Sequence, residues 1–196
     1  EKIIKDHLKF WKKMLPIYGP VFSEKTTINT VSGDNYSELA KLFHSSFHSI
    51  DQSIKSKFTI TDILEVAIPI QDHLWTNRYR PSTNLIKVWH GTKVSNILSI
   101  LRSGFTPINT PSYQIVSSKT GAMFGSGIYS TDHSSKALYY SDRLRDKCEH
   151  SLTKDETGWI LLCQLDAGTI YQARADDIDP NFKLPSQFDS LFADPI

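Results

Sequence analysis

The 196 residues, 39% apolar and 11% aromatic, suffice for one globular domain with a substantial core, and no second full domain is expected. With 22 basic and 21 acidic residues the formal charge is only +1, so no global field draws the chain onto nucleic acid or an acidic membrane. No apolar run approaches the length of a membrane span.

Two cysteines, Cys148 and Cys163, form no C-x-x-C motif, and this usage fits a reducing compartment, cytoplasmic or nuclear. Cys148 lies two residues from His150, a weak metal spacing, and no metal site is expected. The first residue is Glu1 rather than Met, as expected of an excised piece of a longer protein.

In chain order, Ile3, Ile4, Leu8, Trp11 and Leu15 recur at spacings of three and four, which predicts an amphipathic helix over Lys2 to Leu15. Pro16 and Gly19-Pro20 end it, so residues 1–25 read as a helical N-terminal extension. Thr26 to Val31 alternates β-branched and polar residues, as a strand does. Gly33-Asp34 then supplies a turn and a cap for a helix through His48, with Leu39, Leu42, Phe43 and Phe47 inward. That helix would bring His44 and His48 to a metal-binding spacing, but with no third ligand a solvent-facing role is the stronger reading. Phe58 to Ile70 predicts a strand, and Gln71 to Arg80 a short helix closed by Pro81.

From Leu85 an apolar run ends in His90-Gly91-Thr92, which would emerge together at the rim of a sheet, where sites are built. Ser95 can cap a helix burying Ile97, Leu98, Ile100 and Leu101, and Gly104 stands where a left-handed terminus belongs. Thr106 to Thr120 reads as a loop. Gly121, Gly125 and Gly127 precede Ile128-Tyr129 and a short helix carrying Tyr139 and Tyr140; glycines admit a ligand close to the backbone, and tyrosines supply flat faces. Asp142 to Lys147 is a charged, solvated stretch. Trp159 to Leu165 predicts a buried central strand, Gly168 a break, Thr169 to Ala173 a further strand and Asp176 to Gln187 a loop.

The order W-H-G-T, M-F-G-x-G-I-Y and S-K-x-x-x-Y resembles the catalytic domain of the poly(ADP-ribose) polymerase family of ADP-ribosyltransferases. The resemblance implies an α+β fold with a split, mostly antiparallel double sheet and flanking helices over residues 26–196, with the family's C-terminal strands missing. WILLCQLDAGTIYQA is similar to that family's paired strands, and FDSLFA to the segment before its last ones. The implied activity is transfer of ADP-ribose from NAD to a macromolecular acceptor, protein ahead of nucleic acid, with release of nicotinamide and no need of a metal.

Carried over residue by residue, His90 and Tyr129 match the first two members of the family's His-Tyr-Glu signature and are the candidate catalytic pair. His90 would donate to a hydroxyl of the adenine-side ribose. Gly91 would meet the carboxamide through its backbone, and Tyr129 and Tyr140 would sandwich the nicotinamide. Thr92 and Lys136 complete the expected NAD contacts. Each has a plainer reading: His90 as a satisfied turn residue, Tyr129 as a strand aromatic beside a glycine turn, Tyr140 as part of a core-facing helix stripe.

Two departures stand out. Ala137 occupies the place where the family's S-K-S pattern supplies a hydroxyl to the carboxamide, and the loss of one hydrogen bond weakens binding about three- to tenfold. No acid matches the third signature position, whose strand would fall beyond Ile196; Glu149, Glu156 and Asp166 precede it. These departures support an alternative: a pseudoenzyme serving as a binding or scaffolding module.

Overall fold

A computed structural model of the chain describes residues 27–48, 58–68, 76, 84–105, 123–141 and 158–194. The expected N-terminal helix, the helix over 71–80, the 106–120 loop, Gly121 and the charged run at 142–147 lie outside the described residues.

The alternating T-I-N-T segment forms β1 (Thr27–Thr30), antiparallel to β2 (Leu64–Ala67) with Ile28 opposite Val66. Gly33 follows with φ 63°, a conformation glycine adopts without steric cost, and opens α1 (Gly33–Ser45). Leu42 and Phe43 turn inward from this helix, and Phe47 just beyond its end does the same.

The helix ends three residues short of the expected His48, and two serines explain why. Leu42 C=O accepts from Ser46 N–H at 3.0 Å, Ser45 Oγ at 3.0 Å and Ser46 Oγ at 2.8 Å, side-chain bonds that compete with continued helix. His44 and His48 are therefore not neighbours on one helix face. The His48 ring instead stacks on His133, with centroids 4.2 Å apart.

β3 (Leu85–Gly91) runs antiparallel to β4 (Ile160–Asp166), with Leu85 opposite Asp166, His90 opposite Leu161 and Gly91 opposite Ile160. The other edge of β3 is bridged by Thr131, which exchanges both backbone bonds with Trp89 at 2.7 and 2.9 Å. β4 is half-buried where a buried central strand was expected, because among the described residues it pairs with β3 alone and Gln164 and Leu165 face solvent. The core lies where α1, β3 and α3 (Ser134–Tyr139) meet: Phe43, Phe47, Trp89, Ala137 and Leu138, with Leu42, Phe58, Ile60, Ile160 and Leu162 around them. Phe43 meets Trp89 edge to face at 6.0 Å, and Trp89 Nε1–H donates to Ser46 Oγ at 2.9 Å, so the indole is both packed and satisfied.

α2 (Val94–Ser103) is capped from Lys93 rather than Ser95. Asn96 Nδ2–H donates to Thr92 Oγ1 at 3.1 Å and Asn96 N–H to Lys93 C=O at 2.9 Å, so Thr92 and Lys93 form the entry turn and Ser95 is exposed within the helix. Ile97 is buried; Ile100 and Leu101 are half-buried. Gly104 closes the helix with φ 74°, its N–H donating to Ile100 C=O at 2.8 Å.

After β4 the chain turns at Gly168 (φ 55°), where Asp189 accepts the Thr169 N–H at 2.9 Å. That turn separates β5 (Ile170–Gln172) from β4, and β5 pairs in parallel with β6 (Ser190–Phe192). The segment similar to a pair of neighbouring strands is thus divided between two ribbons. Three two-stranded ribbons, two antiparallel and one parallel, with helices packed beside them make the described residues α+β. Among them no helix is long and apolar enough to cross a membrane.

Candidate active site

β3 delivers His90 and Gly91 to a point where three elements converge. Trp89 spends its backbone groups on Thr131, and in an antiparallel strand the direction of these groups alternates from residue to residue. His90 therefore turns its N–H and C=O toward β4, while Gly91 turns its own toward the edge bearing residues 129–131. An edge with both a donor and an acceptor is complementary to a carboxamide.

Gly91 is fixed by what lies above it. A Cβ there would come within 1.7 Å of the Ala137 carbonyl oxygen, so α3 rests directly on the glycine backbone. Only glycine permits this approach, which makes the residue a packing requirement as well as a candidate contact.

The His90 imidazole is half-buried. Its Nδ1 lies 2.8 Å from the Tyr129 carbonyl oxygen, which can only accept, so Nδ1 carries the proton. Burial lowers the His90 pKa below its ordinary value and outweighs the opposing bond to Tyr129. The ring is accordingly neutral at physiological pH, with Nε2 bare. In that state Nε2 offers a lone pair and can only accept a hydrogen bond.

Tyr129 is held by its own turn. Its hydroxyl donates to Gly125 C=O at 2.8 Å and accepts from Phe124 N–H at 3.0 Å, which pins the ring across the glycine turn while 38% of the residue stays exposed. Burial raises the phenol pKa, so the hydroxyl remains protonated. Gly125 supplies φ 76°, and a Cβ there would meet the Phe182 carbonyl at 2.0 Å.

α3 turns Ser134, Ala137, Leu138 and Ser141 inward and leaves Lys136, Tyr139 and Tyr140 outward. Tyr140 is 41% exposed, and Tyr139 meets it edge to face at 5.6 Å. His90, Gly91, Tyr129 and the Ala137 backbone are thus joined by direct contacts. The Thr92 hydroxyl accepts from Asn96, and Lys136 and Tyr140 are both exposed rather than packed on His90.

Sequence reasoning passed over Phe105, whose ring packs on His90 with centroids 4.8 Å apart. Its signal was the glycine before it, which turns the chain back after α2. Of the candidate carboxylates, Asp166 sits five residues along the ladder from the His90–Leu161 pair, about 17 Å at ~3.4 Å per residue, and is too far to act there. Glu149 and Glu156 lie outside the described residues. Among the described residues no three His, Cys, Asp or Glu side chains converge as metal ligands would.

The family model of the poly(ADP-ribose) polymerase catalytic domain matches residues 34–189, a span that takes in every element from α1 to the turn before β6. This places the α+β scaffold in the ADP-ribosyltransferase class. The chain belongs to the poly(ADP-ribose) polymerase catalytic-domain family, whose members use NAD as the donor of ADP-ribose. It is 33% identical over 110 residues to poly(ADP-ribose) polymerase tankyrase of Caenorhabditis elegans, covering 55% of this chain and 4% of that protein. It is 32% identical over 102 residues to poly(ADP-ribose) polymerase 1 of Gallus gallus, covering 50% and 9%. With poly(ADP-ribose) polymerase 2 of Zea mays it shares 29% over 129 residues, covering 64% and 18%. The match thus spans a small part of each of these relatives.

Proposed function

We propose that this chain carries an NAD site of the ADP-ribosyltransferase type and transfers ADP-ribose to a protein acceptor, releasing nicotinamide. The observation that carries the reading is the 2.8 Å bond from His90 Nδ1 to the Tyr129 carbonyl, which clasps together the two family-matched residues from motifs 39 positions apart. NAD brings a cationic leaving group and a ribose able to take up positive charge. The chain then has to bind and orient the dinucleotide.

In this assignment the Gly91 N–H and C=O engage the carboxamide, and Tyr129, immobilised by its two hydrogen bonds, forms one wall of the ring site. Tyr140 forms the other, with stacking worth about 0.5–1.5 kcal/mol beyond burial. His90 Nε2 accepts from a ribose hydroxyl, and Lys136 and Thr92 border the site. The split double sheet of the family is the frame we assign to these elements, and cytoplasm or nucleus is the compartment that fits the cysteine usage.

A second reading, a pseudoenzyme that keeps the fold as a binding module, is favoured by Ala137. Its side chain is buried among Phe43, Phe47, Trp89 and Leu138, where it supplies packing and no hydroxyl. Calorimetric titration of the full-length protein with NAD and benzamide, beside assays of nicotinamide release and ADP-ribose incorporation, separates the readings. The transferase reading expects saturable binding and turnover, both lost in Tyr140→Ala. Binding without turnover supports the pseudoenzyme, and no binding at millimolar ligand by folded protein refutes both.

A further inference from the structure

A hydrogen bond at one ring nitrogen leaves an imidazole free to swing about that bond, and the direction of the other nitrogen is then undefined. His90 is held at Nδ1 by Tyr129. Its remaining freedom is removed from another quarter of the chain. Gly104 takes φ 74°, closes α2 through its bond to Ile100 C=O and returns the chain toward β3. Phe105 follows at once and meets the His90 ring at 4.8 Å between centroids and 72° between planes, an edge-to-face pair.

We infer that Phe105 is the positioning residue of His90, fixing the imidazole so that Nε2 faces a ligand as a hydrogen-bond acceptor selective for a hydroxyl donor. The ligand side of this assignment rests on the NAD reading above; the ring geometry does not. With Nδ1 protonated and bonded, a neutral imidazole offers only a lone pair at Nε2, so it accepts from a sugar hydroxyl and repels a phosphate oxygen. Two influences act on the His90 proton, burial and the Tyr129 carbonyl bond, and no charged side chain among the described residues contributes. A half-buried phenyl ring against the imidazole is part of what keeps water away. Phe105 carries no polar side-chain atom, and its ring packs on His90, so the role inferred for it passes through His90.

The test compares wild type, Phe105→Ala and Phe105→Leu of the full-length protein in three measurements. These are the Kd for NAD, the Kd for benzamide, which has no ribose, and the nitrogen-15 shifts of the His90 ring over about pH 5 to 8. For Phe105→Ala we expect NAD binding to weaken roughly tenfold, the worth of one hydrogen bond, with benzamide within about twofold. The His90 titration should move up toward the ordinary histidine value and its two tautomers should mix, while Phe105→Leu, still bulky and apolar, restores most of both. An unchanged tautomer and titration in Phe105→Ala overturns the inference, as does an equal loss of NAD and benzamide binding, which marks general structural damage. If wild type binds no NAD, the functional proposal fails, and the ring shifts alone still decide for or against Phe105.

Discussion

The segment around His90 and the segment from Ala167 to Asp194 are held together in opposite ways. Around the site the bonds join residues far apart in sequence and sit on an apolar core: Ser134 Oγ–H donates to Phe43 C=O at 2.8 Å and Ser135 Oγ–H to His48 C=O at 2.7 Å. From 167 onward the chain mostly binds itself through polar contacts made within that segment. Tyr171 O–H donates to Asp177 at 3.0 Å, the same carboxylate accepts the Arg174 N–H at 2.8 Å, and Ser190 Oγ–H donates to Ala167 C=O at 2.6 Å. The first region depends on close packing and tolerates little change of volume. Its partner depends on individual bonds that water can replace.

The largest difference is expected from Phe43→Ala, which empties a buried ring site against Trp89 and should cost about 3–5 kcal/mol in urea unfolding. Gly91→Ala comes next. Its methyl collides with the Ala137 carbonyl, a backbone atom that cannot rotate away, and the expected loss is about 3 kcal/mol with binding at the site abolished. Gly168→Ala is the matched change in the C-terminal region. There the nearest atoms belong to the Asp189 side chain, whose Cβ is fixed to the backbone and whose carboxylate accepts the Thr169 N–H, so the turn has to shift and give up that bond on top of the positive φ, at a cost of about 2 kcal/mol with binding at the site kept. Loss of binding at the site in Gly168→Ala, as in Gly91→Ala, would contradict the contrast between packed and bonded regions.

Smaller effects sharpen it. Ala137→Ser puts a hydroxyl into the apolar cluster, where it can reach the His133 carbonyl one turn back, so a loss of about 1 kcal/mol is expected rather than the ~1–3 of an unpaired group. Ser190→Ala removes one part-buried bond and should cost about 0.5–1.5 kcal/mol, with ligand binding unaffected. A drop in benzamide affinity in Ser190→Ala would show the two regions to be coupled, by way of the Gly125 turn on the Phe182 carbonyl.

Much of the site region was legible because its physics is local. The apolar run into His90, the glycines before Tyr129 and the stop at Gly104 all act within a few residues, and the sequence displays them directly. Partners across the fold were not legible. The i, i+4 spacing of His44 and His48 suggested one helix face, yet a serine pair ends α1 and sends His48 to His133. Trp159 to Leu165 has the apolarity of a central strand, but hydropathy does not say how many neighbours a strand will have. The pairing of β5 with β6 instead of β4 depends on Asp189 reaching Thr169, a contact between residues twenty positions apart that no periodicity announces.

The last and smallest expected effect concerns acid. Burial holds the His90 pKa below the 6.5 of an ordinary histidine, whereas in the unfolded chain the ring returns to that ordinary value. Below 6.5 the unfolded state therefore binds more protons than the folded one, and stability falls as pH drops from 6.5 through the folded pKa. Above 6.5 both states are neutral at this residue and the contribution is complete. His90→Asn keeps an N–H donor able to reach the Tyr129 carbonyl but cannot take up a proton. Urea unfolding of wild type and His90→Asn over about pH 5 to 7.5 should thus show wild type losing stability relative to the variant only on the acid side. Ser190→Ala, remote from the imidazole, should keep the wild-type pH dependence. A difference that is flat with pH, or that grows toward alkaline pH, would mean that the imidazole is solvated and that its bond to Tyr129 fixes neither its charge nor its tautomer.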